Sequence, residues 1–163
     1  MSTKTAADSQ VPDLYERDPY IWAHTQACAL RERRAEALDW DNLAEEVEDL
    51  ARRHRDALQS NYEILIEHLL KLAYASDPVV HRNWRLWRLH VSNARMRISD
   101  LLLDNPGLKG ATGGLFTKAW RYGRNNAVRK LDLDDSVVPR DCPWALGESC
   151  DEGFWPAPGQ RQD

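Results

Sequence analysis

The sequence predicts an all-α fold, an up-and-down helical bundle of about four helices closed by an aromatic C-terminal strap. Three observations carry this reading. Leu, Ala, Glu and Arg dominate the 163 residues while Val, Ile and Thr are few, which is the composition of helices rather than strands. An acid followed by proline occurs at Asp18-Pro19 and again at Asp77-Pro78, a pairing that caps and starts a helix. Apolar residues then recur at helical spacing over long stretches without Gly or Pro.

The first helix is expected from about Tyr20 to Arg33, with Trp22, Ala23, Gln26, Ala27 and Leu30 on one face. A turn at Ala35–Leu38 leads to Asp39 or Asp41 as the next cap. Nothing interrupts residues 41–76, which permits one helix of about 50 Å there, with a break near Arg52–His54 as the alternative. Its heptad line is Leu43, Val47, Leu50, His54, Ala57, Asn61, Ile64, His68 and Lys71, widened by Leu58, Leu65, Leu69 and Leu72. The third helix, about Val79 to Leu103, places Val80, Trp84, Trp87, Val91, Ala94, Ile98, Leu101 and Leu102 inside and stops at Asn105-Pro106. Glycines at 107, 110, 113 and 114 weaken the start of a fourth helix, which is secure from Leu115 to Leu131. After Asp132, four prolines and the aromatics Trp144, Phe154 and Trp155 read as a strap with one helical turn near Trp144–Glu148. Residues 1–12 read as a disordered lead, 13–156 as a single helical domain and 157–163 as a disordered tail. No signal segment or apolar span appears, so no membrane association and a cytoplasmic location are expected.

Several segments in order, Leu14-Tyr15-Glu16-Arg17-Asp18 with Trp22, Leu38-Asp39, Asn42-Leu43-Ala44-Glu45-Glu46-Val47-Glu48, His68-Leu69-Leu70-Lys71, Trp84-Arg85, Pro106-Gly107-Leu108-Lys109, Cys142-Pro143-Trp144 and Phe154-Trp155-Pro156, together resemble the domain-of-unknown-function 29 family. The resemblance covers roughly residues 13–156. It implies a helical fold and a bacterial, cytosolic origin, and it implies no activity. Where the family has a helix-forming stretch after the proline at 106, this chain has glycines.

Two constellations are candidates for function. The first is a polar seam on the long helix, with His54, Asn61 and His68 spaced by sevens and the acids Glu45 and Glu46 upstream. A two-metal helical site wants Glu-x-x-His on two helices. Here the positions three before the histidines are Ala51 and Leu65, and the histidines stand about 21 Å apart on a straight helix. A buried or half-buried His68, bonded to backbone or to a carboxylate of another helix, is therefore favoured over a metal or catalytic site around His68 and Glu46. Cys28, Cys142 and Cys150 lack zinc-type spacing, and Cys28 near His24 reads as a small core residue beside a surface histidine. No metal and no cofactor is expected.

The second constellation is the charge layout. Residues 78–131 hold eleven bases and two acids, residues 1–77 nine bases and sixteen acids, and residues from 132 onward two bases and eight acids, giving a net charge of −4. Arg82, Arg85, Arg88, Arg95 and Arg97, with Arg121 and Arg124 on the next helix, sit among Trp84, Trp87 and Trp120. Arginine beside aromatics suits a nucleic-acid backbone and bases, but the net acidity argues against nonspecific binding. Motifs for nucleophilic, nucleotide or zinc-protease chemistry are missing. The favoured reading is a non-catalytic protein-interaction or self-associating helical module, its partner another protein or a second copy. A nucleic-acid-associated module using the basic helices 82–97 and 118–130 ranks next, and an enzyme at the polar seam third.

Overall fold

A computed structural model describes residues 12–157, and the lead and tail expected at 1–11 and 158–163 lie outside them. The chain is an all-α helical bundle; among the described residues there is no strand. It divides between Arg52 and Arg53 into two compact units.

The first unit contains α1 (Pro12–Arg17), α2 (Pro19–Arg31), a 3-10 turn at Ala35–Ala37 and the start of α3 (Trp40–Tyr74). Asp18 caps α2 as its spacing predicts, its Oδ1 accepting from the Ile21 N–H at 3.0 Å, with Pro19 in the first turn. Between Asp39 and Asp41 the cap falls to Asp39, whose carboxylate accepts from Asn42 Nδ2 at 2.7 Å and from Trp22 Nε1 at 3.1 Å. Burial alone would raise the Asp39 pKa, but the bonds from Asn42 and Trp22 hold it below the usual carboxylate range. Gln26 is buried because its Oε1 accepts from the Asp39 N–H at 2.8 Å. Tyr15 stands edge-on to Trp22 at 4.8 Å and donates to Glu46 Oε1 at 2.9 Å. The expected apolar face of α2 is correspondingly narrow: Trp22, Gln26 and Ala29 are buried, whereas Ala23 and Leu30 are exposed. Cys28, expected in the core, is exposed beside Tyr20, His24 and Arg34.

The second unit packs α3, α4 (Asp77–Asp104), α5 (Thr112–Leu131) and α6 (Leu146–Cys150) around one core. α3 is a single uninterrupted helix. Its core side is the widening stripe of Leu58, Leu65, Leu69 and Leu72, joined by Tyr62, Ile66 and Leu70. The heptad line is a margin instead: Val47, Leu50 and Ile64 are exposed and His54 and Asn61 are half-buried. From Leu65 to Ala75 every residue is buried, so polar side chains enter the interior there because no face remains for solvent.

α4 begins at Asp77 itself, so its cap position falls on Ser76, one residue before the expected Asp77, and no side-chain hydrogen bond caps it. It ends at Asn105, and the glycine-rich stretch forms a 3-10 segment, Pro106–Ala111, before α5. Gly123 on α5 lies against α3, where a Cβ would meet Ile66 Cγ2 at 2.8 Å and the Glu63 carbonyl at 3.0 Å. The strap is docked, with Val138 and Trp144 buried. Trp144 stands edge-on to Trp120 at 6.4 Å and to Phe154 at 5.8 Å. Of the seven tryptophans, Trp40 and Trp84 are exposed, against the expectation of Trp84 in the core; no helix is long and apolar enough to cross a membrane among the described residues.

Candidate functional site

His68 is buried near the end of α3. A carbonyl only accepts, so the 2.9 Å contact to the Ile64 oxygen requires a proton on Nδ1 and leaves Nε2 as the bare nitrogen of a neutral ring. Burial lowers its pKa, which favours that neutral form. The ring stacks on His90 of α4 at 4.5 Å. Asn61 donates to the Ala57 carbonyl at 2.8 Å, and its buried Oδ1 has no hydrogen-bond partner among the described residues. The other seam residues are not gathered here. Glu46 belongs to the first unit and accepts from Tyr15, Glu45 is exposed, and His54 is half-buried on α3. Among the described residues, no group of three or more His, Cys, Asp or Glu side chains could hold a metal ion.

The ionic centre next to His68 joins Lys71, the last member of the heptad line, to Glu67 and Lys130. Glu67 is buried and accepts from Lys71 at 2.5 Å and from Lys130 of α5 at 2.8 Å. Burial opposes its ionisation, yet the two lysine bonds hold its pKa below the usual range. The Lys71 ammonium also faces the Trp87 ring at 5.9 Å. A buried anion shared by two cations joins α3 to α5.

The basic residues separate into two groups. Arg95 and Arg124 are buried anchors for the strap. Arg95 donates from Nε to the Ser149 carbonyl at 3.0 Å and from Nη2 to the Phe154 carbonyl at 2.8 Å. Arg124 donates to the carbonyls of Val138 and Pro139 at 2.9 Å, and it also pairs with Asp135 at 2.7 Å. Trp120 Nε1 adds a bond to the Arg140 carbonyl at 2.7 Å. A guanidinium suits this work because its fork of N–H groups satisfies several carbonyls of irregular chain at once. Arg88 is exposed yet engaged, 4.0 Å from the Trp155 ring, which Arg95 meets at 4.9 Å. The other candidate arginines, Arg82, Arg85, Arg97 and Arg121, are exposed and have no carboxylate partner among the described residues. Trp84, half-open to solvent, has Arg85 at 5.5 Å and Arg88 at 5.8 Å from its ring.

One surface of α4 stands apart. Arg82, Leu86, Leu89, Asn93, Met96, Asp100 and Leu103 alternate by four and three residues, and all are exposed. Leu86, Leu89, Met96 and Leu103 are 52, 55, 55 and 71% exposed, although residues spaced this way form one stripe along a helix. Leu89 and Asn93 also wall a groove of about 170 Å³ whose far side is Asn61 and Ile64 of α3. The stripe is basic at its start and acidic towards its end. Sequence reading passed over it because the core heptads of α4 are offset from it and carry the tryptophans.

No curated protein and no solved structure matches the chain. The family model described as Domain of unknown function DUF29 matches residues 14–155, nearly the whole chain, so the chain belongs to that family.

Proposed function

We propose that this protein is a non-catalytic, self-associating helical module, and that two copies pair through the exposed stripe of α4. The observation that carries the reading is the heptad run of apolar side chains left in water on an otherwise well-packed helix. An antiparallel pairing about a two-fold axis level with residue 91 sets Leu86 against Met96 of the second copy and Leu89 against Asn93. It also sets Arg82 against Asp100. Among the described residues neither Arg82 nor Asp100 has an ion-pair partner, and both are exposed. Each contact recurs once by symmetry, as an isologous interface requires. A polar Asn93 in such a seam sets register at some cost in stability.

The rival nucleic-acid reading has less support. Two of its arginines, Arg95 and Arg124, are committed to the strap, and Trp87 and Trp120 are buried away from any base. A bacterial, cytoplasmic setting is part of this reading; among the described residues no helix is long and apolar enough to cross a membrane. The test is sedimentation equilibrium across a concentration series. The expected result is a monomer–dimer equilibrium that Leu89→Glu abolishes, with unfolding unchanged to about 0.5 kcal/mol because the site is exposed. A wild-type monomer at every concentration, or a dimer indifferent to Leu89→Glu, would overturn the proposal.

A further inference from the structure

A second feature lies apart from the α4 stripe, none of whose residues line it. A cleft of about 430 Å³ opens in the second unit between α3, α4, the Pro106–Ala111 segment, α5 and α6. Its walls are mostly apolar, from Tyr62, Ile98, Leu102 and Leu146. Its charged lining is Arg95 and Lys109, with no acidic side chain, and Ser99 and Thr112 add hydroxyls. The size falls within the range of small-molecule sites, and an apolar body with a few polar groups is their usual make-up.

The charge state of Arg95 points to the class of ligand. The side chain is 4% exposed, yet every hydrogen-bond partner it has is a neutral carbonyl: Ser149, Glu152 and Phe154. Three of its five N–H donors are thereby used, and among the described residues no carboxylate lies within 4 Å of its positive charge, Asp151 and Glu152 acting on it from farther away. A buried cation is ordinarily paired with an anion, and the pairing of Glu67 with two lysines shows that this fold follows the rule elsewhere. Burial pushes the Arg95 pKa down, and the nearby charges of Cys150, Asp151 and Glu152 offset this only in part.

We propose that the cleft binds a small amphipathic carboxylate, its acid group answering the positive lining of Arg95 and Lys109 and its hydrocarbon body lying against Ile98, Leu102 and Leu146. Nothing in this assignment depends on self-association.

Decanoate is the probe, with 1-decanol as its uncharged control, and binding to the full chain is read by calorimetry. Occupancy is read separately from the rate at which iodoacetamide alkylates Cys150, which lines the cleft, with exposed Cys28 as the internal reference. Arg95→Gln removes a strap anchor and confounds binding with folding, so exposed Lys109→Gln and Gly147→Phe are the variants. A Cβ at Gly147 meets nothing within 4 Å, and the residue lines the cleft, so the phenylalanine fills space without displacing packed atoms. The expected results are saturable decanoate binding at least about tenfold tighter than decanol, and slowed alkylation of Cys150 but not Cys28. Lys109→Gln should weaken binding and Gly147→Phe abolish it, both with melting temperatures unchanged. No saturable binding, equal affinity for decanol, or binding that survives Gly147→Phe would each overturn the proposal.

Discussion

Substituting Gly123 by alanine tests the packing of α5 on α3 at a single atom. The added Cβ would lie 2.8 Å from Ile66 Cγ2, 2.9 Å from Ile66 Cβ and 3.0 Å from the Glu63 carbonyl oxygen. Real Cβ contacts are longer than this, and neither Ile66 Cβ nor the Glu63 carbonyl can swing aside without moving α3. Overpacking of this kind costs about 1–3 kcal/mol. Alanine would recover about 1 kcal/mol of helix propensity over glycine, which leaves a net loss of up to about 2 kcal/mol. For a chain of this size each kcal/mol lowers Tm by about 2–4 °C, so thermal unfolding by circular dichroism should show a fall of several degrees. Gly113→Ala and Gly114→Ala are the controls. They lie on the same helix, and a Cβ at either meets nothing within 4 Å, so each should raise stability by about 0.5 kcal/mol. A Gly123→Ala protein that melts at or above wild type would refute the close approach of the two helices.

Glu67→Gln strips the charge that Lys71 and Lys130 share and leaves Lys71 buried without an anion. Denaturant titration should show a loss of about 3 kcal/mol, and a loss below about 1 kcal/mol would mean that water already reaches the site. Trp144→Ala empties a buried contact between Trp120 and Phe154 and should cost about 3–5 kcal/mol. Half-exposed Trp155→Ala should cost clearly less, and equal losses would argue against the strap as described. The His68 pKa is lowered by burial from its ordinary 6.5. Above that pH neither state is protonated; below it the unfolded chain takes a proton that the folded chain resists, so stability falls with acidification. His68→Gln should flatten the urea-midpoint profile between neutral pH and the folded-state pKa, and an unchanged slope would place the acid sensitivity elsewhere.

Much of the helical framework is legible in the sequence because its signals are local. Asp18-Pro19 and Asn105-Pro106 mark ends through backbone chemistry that needs no tertiary context, whereas the unbroken run after Asp41 fits one helix or two with a break near Arg52–His54, and the structure decides for one. The orientation of α3 was not legible. Its heptad line and its leucine stripe compete over the same turns, and only the packing of α4 and α5 decides for Leu58 and Leu65. The two roles of arginine were equally hidden. Arg82 and Arg95 look alike in sequence, but one faces water and the other holds three carbonyls of a strap more than fifty residues away. Gly123 left a faint signal, a lone glycine inside a helix, whose reason appears only in the distance to Ile66. At the candidate site, the spacing of His68 points to a buried or half-buried ring bonded to a carboxylate or to backbone, and of these the structure shows burial and the Ile64 carbonyl. The ionic centre of its neighbours Glu67, Lys71 and Lys130 was not legible, since surface ion pairs and buried ones share the same spacing.

The central claim, pairing of α4 with α4 of a second copy, is tested most directly by exchanging the charges at the ends of the stripe. Arg82→Asp sets two acids against each other in a self-pair, and Asp100→Arg sets two bases together, so each variant alone should sediment mainly as a monomer. Mixed in equal amounts they restore both opposite-charge contacts, and the account predicts a heterodimer of twice the 18.8 kDa chain mass. Two variants that dimerise alone as well as wild type, or a mixture that stays monomeric while wild type dimerises, would contradict it.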